Sequence, residues 1–327
     1  MRCVVTGAAG FIGSHLCEYL LEKGHDVVGI DALVPYYAPA DKESNLAAAR
    51  DHSRFEFSPI DLRHDPLDAA LDGADFVFHL AAMPGLSQSW TDFDQYMTCN
   101  VQATQRLLDA LRRVGKPKLI AASTSSVYGR MALGDEKMPT KPISPYGVTK
   151  LAAEQLCQAY ADAYGLSIVY LRYFSVYGPR QRPDMGYRKF INALLNNQPI
   201  TVYGDGQQMR GNTFVTDCVE ATWLAAKAPA GEIYNVGGGE LASVWDVLEK
   251  LELLAGRKAQ VRQEPARPGD QWQTGANIAK IKTHLGWSPR TSLNDGLARQ
   301  WAWQEWQLHD AENSLALDAE SGLVAAS

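Results

Sequence analysis

The 327-residue chain has few of the features that mark a membrane, nucleic-acid or metal protein. No apolar run reaches the roughly 20 residues needed to span a bilayer as a helix. Lysine and arginine are dispersed and the net charge is −6, which leaves no basic block for nucleic acid. The five cysteines, Cys3, Cys17, Cys99, Cys157 and Cys218, show no metal-ligand spacing. Their scatter predicts reduced thiols and a cytoplasmic setting. Met1 runs directly into an apolar strand pattern, so no signal peptide is expected. There are no internal repeats. A chain of this length can bury about three-quarters of its unfolded surface, enough for one large or two modest domains.

What is present is an alternation of short apolar strands with helical patterns. Strands are expected at 2–6, 26–31, 55–59, 76–80, 118–123 and 167–173, with helices at 14–23, 92–114 and 146–164 between them. This rhythm predicts an α/β fold with a doubly wound parallel Rossmann sheet. After Gly178-Pro179 the rhythm changes to a helix at 190–197, a strand at 200–203 and a helix at 244–255, while 213–226 returns to the first domain. The division expected is a cofactor domain over 1–177 with 213–237 returning. A smaller discontinuous α/β substrate domain takes 178–212 and 238–307. The alanine- and acid-rich end, 308–327, is expected to be a mobile tail.

Two local patterns carry chemistry. Thr6-Gly7-Ala8-Ala9-Gly10-Phe11-Ile12-Gly13 lies between the first strand and the first helix. Glycines there permit a tight turn and let a pyrophosphate approach the helix N-terminus. Asp31 ends the second strand 18 residues past Gly13. A carboxylate at that place suits the free ribose hydroxyls of NAD and repels the extra phosphate of NADP. The second pattern is Tyr146 with Lys150, four apart on a predicted helix and therefore on one face. Such a pair is common on exposed helices. Held together in a site, however, the ammonium is expected to lower the phenol from about 10 toward neutrality and make it a usable base.

These elements together resemble an extended short-chain dehydrogenase/reductase, and within it a nucleotide-sugar epimerase, over residues 1–306. The resemblance implies that Asp61 and Leu62 contact adenine, that Leu80, Ala81 and Ala82 lie beside the cofactor at the end of the fourth strand, and that Asn100 and Tyr173 are on the cofactor side. With Gly7, Gly10, Phe11, Ile12, Gly13, Asp31, Tyr146 and Lys150 they form the expected NAD site. Thr124, Ser125 and Ser126 resemble the family's hydroxyl cluster and would bond the reacting sugar hydroxyl beside Tyr146. The related dehydratases carry Asp-Glu in this strip and the decarboxylating uronate enzymes a Glu at the place of Ser126. This chain has no carboxylate there, which favours hydride transfer and return without elimination.

The stretch from Ser175 through Arg182-Pro183-Asp184-Met185 is similar to that of UDP-glucuronate 4-epimerases. Arginine offers a planar fork for a sugar carboxylate, and Arg182 is the candidate clamp. Arg180 or Arg182 can equally pair with a nearby acid or with the diphosphate. Lys189, Thr201, Tyr203, Arg210, Arg267 and Asp270 are the remaining substrate-side residues that the resemblance implies. Two departures stand out: Ser87 replaces an arginine frequent in relatives, and Gly211-Asn212 replaces Asp-Phe after Arg210. The reading is therefore a UDP-glucuronate 4-epimerase using NAD, a homodimer by resemblance, with no nucleic-acid or membrane partner. The rivals are an epimerase of another UDP-sugar, a UDP-glucuronate decarboxylase and a non-catalytic NAD sensor.

Overall fold

A computed structural model describes the backbone of residues 1–324 and the side chains of residues 1–310. Seven parallel strands form its main sheet: β1 (Arg2–Thr6), β2 (Asp26–Ile30), β3 (Phe55–Ser58), β4 (Phe76–His79), β5 (Lys118–Thr124), β6 (Ile168–Tyr173) and β7 (Ile233–Val236). Their order across the sheet is β7-β6-β5-β4-β1-β2-β3. The direction of strand succession reverses between β1 and β4, and such a switch opens a crevice at the carboxyl ends of the strands. Thr6 is in register with both Ile30 and His79, so the glycine turn, Asp31 and Leu80 emerge side by side at that edge.

The central strands are near-continuous apolar runs because both sheet faces are covered. On one face lie α1 (Phe11–Glu22), α2 (Pro39–Arg50) and, after the short α3 (Asp68–Leu71) and α4 (Phe93–Tyr96) of the other side, α8 (Val215–Ala225). Helices α5 (Ala103–Arg113) and α6 (Pro145–Tyr164) cover the opposite face with Leu107, Leu108, Leu111 and Cys157. Helix α7 (Gly186–Leu195), α9 (Val244–Ala255) and α10 (Ala279–Leu285) belong to the later part of the chain. There a four-stranded sheet is assembled from Met131–Ala132, Met209–Gly211, Leu241–Ala242 and Gln273–Thr274. Ile200–Tyr203 pairs with Val261–Glu264. Fully buried Trp287 closes this part by donating its indole N–H to the Asp217 carbonyl at 3.0 Å.

One local expectation needs correction, and two segments add to what was expected. The helix expected over 92–114 is α4, a π-helical turn Met97–Gln102 and then α5, because Thr98 and Thr104 bond back onto main-chain carbonyls and Asn100 is drawn aside into a buried contact. The α2 helix had no periodic signal and was not expected. The end expected as a mobile tail, 308–327, is helical as far as it is described, since α11 runs over Leu293–Val324. Residues 325–327 lie outside the described residues. No helix among the described residues is long and apolar enough to cross a membrane.

Candidate active site

The crevice at the switch point is a cleft of about 240 Å3 that runs from the Gly7 turn to Arg182. Gly7 has φ +74°, a left-handed conformation that favours glycine, and a Cβ there would lie 2.7 Å from the Ala81 nitrogen. The same compactness holds at Gly13, where a Cβ would strike the Gly7 carbonyl. The N-terminus of α1 follows, and Gly10 supplies no side-chain cap. Its first N–H groups are thus free to bind an anion, helped by the helix dipole. Asp31 is held by the N–H groups of Ala9 at 3.1 Å and Leu33 at 2.8 Å, with the Lys42 ammonium 3.7 Å away. A glycine cradle, an uncapped helix end and a fixed carboxylate at the cleft wall match the pyrophosphate and ribose of a dinucleotide.

Gly10, Phe11, Ile12, Asp61, Leu62, Leu80, Ala81, Ala82, Tyr146, Lys150 and Tyr173 also line this cleft. Asn100 does not. It is 1% exposed, accepts from the Met83 N–H at 2.6 Å, and donates to the Met83 carbonyl and Thr149 hydroxyl at 3.0 Å each. It clasps the loop after β4 to α6 from behind the wall. Three further lining residues have no counterpart in the sequence reading. Arg63 chelates the Asp61 carboxylate, with its Nη2 2.7 Å from Oδ2, and its hydrogen bonds hold that carboxyl below its usual range. Tyr36 and Tyr37 reach in from the loop after β2. An acid two residues before an arginine, and two adjacent tyrosines, were the only local signals for them.

Tyr146 and Lys150 project from the first turns of α6. Its start is set by Pro145 at the first helical position and by Ser144, whose hydroxyl accepts from the Gly147 N–H at 3.1 Å. The expected electrostatics are corrected here. Burial raises the Tyr146 phenol above its ordinary 10, and the groups that pull it down are the Arg182 guanidinium and the Thr124 hydroxyl, not Lys150. Lys150 is itself 5% exposed, and burial pushes its ammonium down to about 8, partly offset by Cys157 and Glu154. A proton-holding tyrosine and a lysine poised to lose its charge thus share one wall.

The hydroxyl strip is buried next to this pair. The Thr124 hydroxyl donates to Ser126 Oγ and accepts from the Ser126 N–H, both at 3.2 Å. Ser125 is tied to the substrate-side loop by Gln271, which donates to the carbonyls of Ser125 at 3.1 Å and Gly129 at 2.7 Å. Gln271 is a fourth residue that the sequence reading missed. Under the strip, Arg172 forks onto Glu154 at 3.1 and 2.8 Å, and Ser123 donates to the same carboxylate. This buried pair pins β5, β6 and α6 to one another. His79, 3% exposed, sits between Thr6 at 2.8 Å and Thr104 at 3.0 Å, and burial keeps it neutral, with its pKa down to about 3.

At the other end, Arg182 lines the cleft, but its guanidinium is paired with Asp184. Arg180 points elsewhere, to Glu18 at 2.7 Å. Arg210 donates to the carbonyls of Met209, Gln271 and Trp272, while Arg267 pairs with Asp270 at 3.2 Å and stacks 4.2 Å over the Tyr203 ring. These four expected substrate residues form one cationic group outside the cleft lining. Thr201 and Lys189 are exposed and have no side-chain bond to that group. Ser175 holds φ +24°, a conformation uncommon for a non-glycine, and its carbonyl accepts from Thr213 N–H at 3.2 Å. Among the described residues there is no group of three or more metal-ligating side chains.

The chain belongs to the NAD dependent epimerase/dehydratase family, whose pattern matches residues 3–237. It is 44% identical over 308 residues to a Bacillus subtilis (strain 168) protein named as an uncharacterized UDP-glucose epimerase, YtcB, covering 93% of this chain and 98% of that one. It is 37% identical to the UDP-glucuronate 4-epimerase of Thermodesulfobacterium geofontis (strain OPF15), with coverage of 92% and 95%. The crystal structure of a UDP-glucuronic acid 4-epimerase from Bacillus cereus, in complex with UDP-glucuronic acid and NAD, superposes with a TM-score of 0.92. That match has 42% identity and covers 94% of this chain and all of the other.

Proposed function

We propose that the chain is a UDP-glucuronate 4-epimerase, interconverting UDP-glucuronate and UDP-galacturonate with NAD held in the cleft. The observation that carries this reading is that Tyr146, Lys150 and Arg182 line one cleft, with the Arg182 guanidinium near enough to pull on the Tyr146 phenol: a base, a buried ammonium and a carboxylate-binding fork. Bound NAD supplies a hydride acceptor that can give the hydride back. Tyr146, once its own proton has left to solvent and it is a phenolate, takes the proton of the C4 hydroxyl, and Thr124 hydrogen-bonds the same oxygen. Because burial opposes ionisation of the phenol, the Arg182 guanidinium and the Thr124 hydroxyl decide how readily Tyr146 accepts that role. Lys150 also binds the nicotinamide ribose. The 4-keto sugar turns over, and the hydride and proton return on its other face.

The intermediate is a β-keto acid and can lose carbon dioxide. Retention of the carboxylate requires that it be held near the ketone plane, where the bond to be broken overlaps the carbonyl poorly. Arg182 with Thr124 or Ser125 would impose that orientation, with Ser175 at the same end. Arg210, Arg267, Asp270, Tyr203 and Thr201 would bind the uridine diphosphate, and Lys189 adds charge nearby. In this reading 1–177 with 213–237 is the NAD-binding domain, and 178–212 with 238–307 the sugar-nucleotide domain.

A 4-epimerase of a neutral UDP-hexose is the second reading, and the neutralisation of Arg182 by Asp184 favours it. Product analysis after incubation with UDP-glucuronate and, separately, UDP-glucose decides between them. Two further properties belong to the proposal. The exposed Phe93, Met97, Val148 and Tyr164 lie on the α4–α6 side and fit a homodimer built from paired long helices, which light scattering at micromolar concentration tests. Five free cysteines, four of them buried, fit a reducing cytoplasmic setting.

A further inference from the structure

Arg182 already binds a carboxylate. Its Nε donates to Asp184 Oδ1 and its Nη2 to Asp184 Oδ2, each at 3.0 Å. This two-pronged geometry is the one a sugar carboxylate would make with the same fork. Asp184 has a second partner, since the Tyr36 phenol donates to Oδ2 at 3.2 Å. The Tyr36 ring lies 5.9 Å from the guanidinium. Tyr36 can come this close because residue 85 is glycine: a Cβ there would lie 2.5 Å from the phenol oxygen. The burial is graded. The Arg182 side chain is 18% exposed and that of Asp184 35%, so the cation is the inner member and the carboxylate sits at the rim.

We propose that Asp184 is a specificity-determining residue that occupies the Arg182 fork as an internal stand-in for the substrate carboxylate, and that a UDP-uronate binds by displacing it. The proposal rests on the reading of the chain as a UDP-uronate 4-epimerase. A half-buried guanidinium left without an acceptor is costly, so the fork needs a partner between turnovers. Asp184 fills that need and holds the fork in plane. Asp184 takes the Nε and Nη2 donors, so a uronate that binds this same edge of the fork must send Asp184 outward. Its place at the rim lets it swing into water with little loss of solvation. The exchange lowers the apparent affinity for a uronate, because only the fraction of molecules with the fork open can bind. A neutral hexose leaves the Asp184 pair intact and is insensitive to it.

The test is calorimetric titration of NAD-loaded wild type, Asp184→Asn and Asp184→Glu with UDP-glucuronate, UDP-glucose and UDP. Asparagine keeps one acceptor for the fork but removes the competing charge. Asp184→Asn is expected to bind UDP-glucuronate about tenfold more tightly, or about 1.4 kcal/mol, while UDP-glucose and UDP stay within about twofold of wild type. Asp184→Glu restores the competing charge and is expected to return uronate affinity toward wild type. Unchanged or weaker UDP-glucuronate binding by Asp184→Asn overturns the proposal, as does a parallel shift for all three ligands. If Asp184→Asn loses NAD or melts lower, Asp184→Ser replaces it under the same criterion, and absence of selective tightening there also overturns the proposal. Wild-type turnover separates the two levels. If wild type epimerises UDP-glucose but not UDP-glucuronate, the functional reading fails. If it epimerises UDP-glucuronate while Asp184→Asn shows no selective gain, only the inference fails.

Discussion

The two ends of the cleft are built on opposite plans. At the dinucleotide end, groups stand open in advance: a glycine turn with no side chain in the way, an uncapped helix N-terminus, and a carboxylate fixed by backbone N–H groups. At the proposed sugar end, the arginines are already engaged. Arg182 holds Asp184, Arg267 holds Asp270, and Arg210 is spent on main-chain carbonyls. The lesson is about timing. A cofactor retained through many turnovers can be met by a preformed cradle, whereas a substrate that must leave each time is met by groups that exchange partners. Tyr146 and Lys150, the pair proposed to be catalytic, line the same cleft, and the Arg182 guanidinium acts on the Tyr146 phenol.

The strongest way to break this comparison is at Tyr146. Tyr146→Phe is expected to lower turnover by roughly 10^3-fold, within the range of general acid–base contributions, while NAD stays bound, because the cradle does not involve the phenol. Steady-state rates with absorbance of retained NAD check it. Turnover near the wild-type level would remove Tyr146 from the mechanism.

The scaffold that both ends share comes next. Glu154→Ala leaves the Arg172 guanidinium buried and unpaired, and is expected to cost about 3–5 kcal/mol of stability in urea unfolding. A change below 1 kcal/mol would show that the Glu154–Arg172 pair does not pin β6 to α6.

Lys150→Met sharpens the comparison through pH. The Lys150 ammonium is held down to about 8 from 10.5 by burial, so the unfolded chain binds more protons than the folded one between those values. Below pH 8 the folded state bears the full penalty, about 3 kcal/mol. Stability attributable to this group therefore rises as pH rises from 8 to 10.5. NAD-free Lys150→Met should be more stable than wild type at pH 7, with the difference vanishing toward pH 10.5, although it should lose activity. Equal stability of the two proteins at pH 7 would contradict the assigned burial.

The smallest expected effect is at the exchanging end. Arg182→Ala should weaken UDP-glucuronate by about 2 kcal/mol more than it weakens UDP, at the low end for truncated charge pairs because Asp184 is partly exposed. Mass analysis should also show some UDP-pentose, from carbon dioxide lost by a loosely held keto acid. Equal weakening of both ligands would move Arg182 to the diphosphate.

The same contrast explains what the sequence made legible. The cofactor end was readable because its chemistry is local: Gly7 to Gly13 is one turn, Asp31 ends the next strand, and Tyr146 and Lys150 share a helix face. The α/β alternation with its parallel sheet was readable for the same reason. The sugar end joins distant segments, so nothing in the neighbourhood of Gln271 announces its hold on Ser125, 146 residues away. Tyr36 likewise meets Asp184 across 148 residues. The Arg182–Asp184 pair is only two residues apart, yet its partner choice depended on which way the fork faces. The sign of the shift at Tyr146 was misread because the spacing to Lys150 is visible in sequence and the burial of the phenol is not.

The most direct test is incubation of the purified protein with UDP-glucuronate alone, without added NAD, followed by separation and mass analysis of the nucleotide sugars. The account predicts UDP-galacturonate as the product, unchanged in mass, with no release of carbon dioxide and with slower or no conversion of UDP-glucose. Accumulation of UDP-pentose, or conversion of UDP-glucose with UDP-glucuronate left untouched, would contradict it.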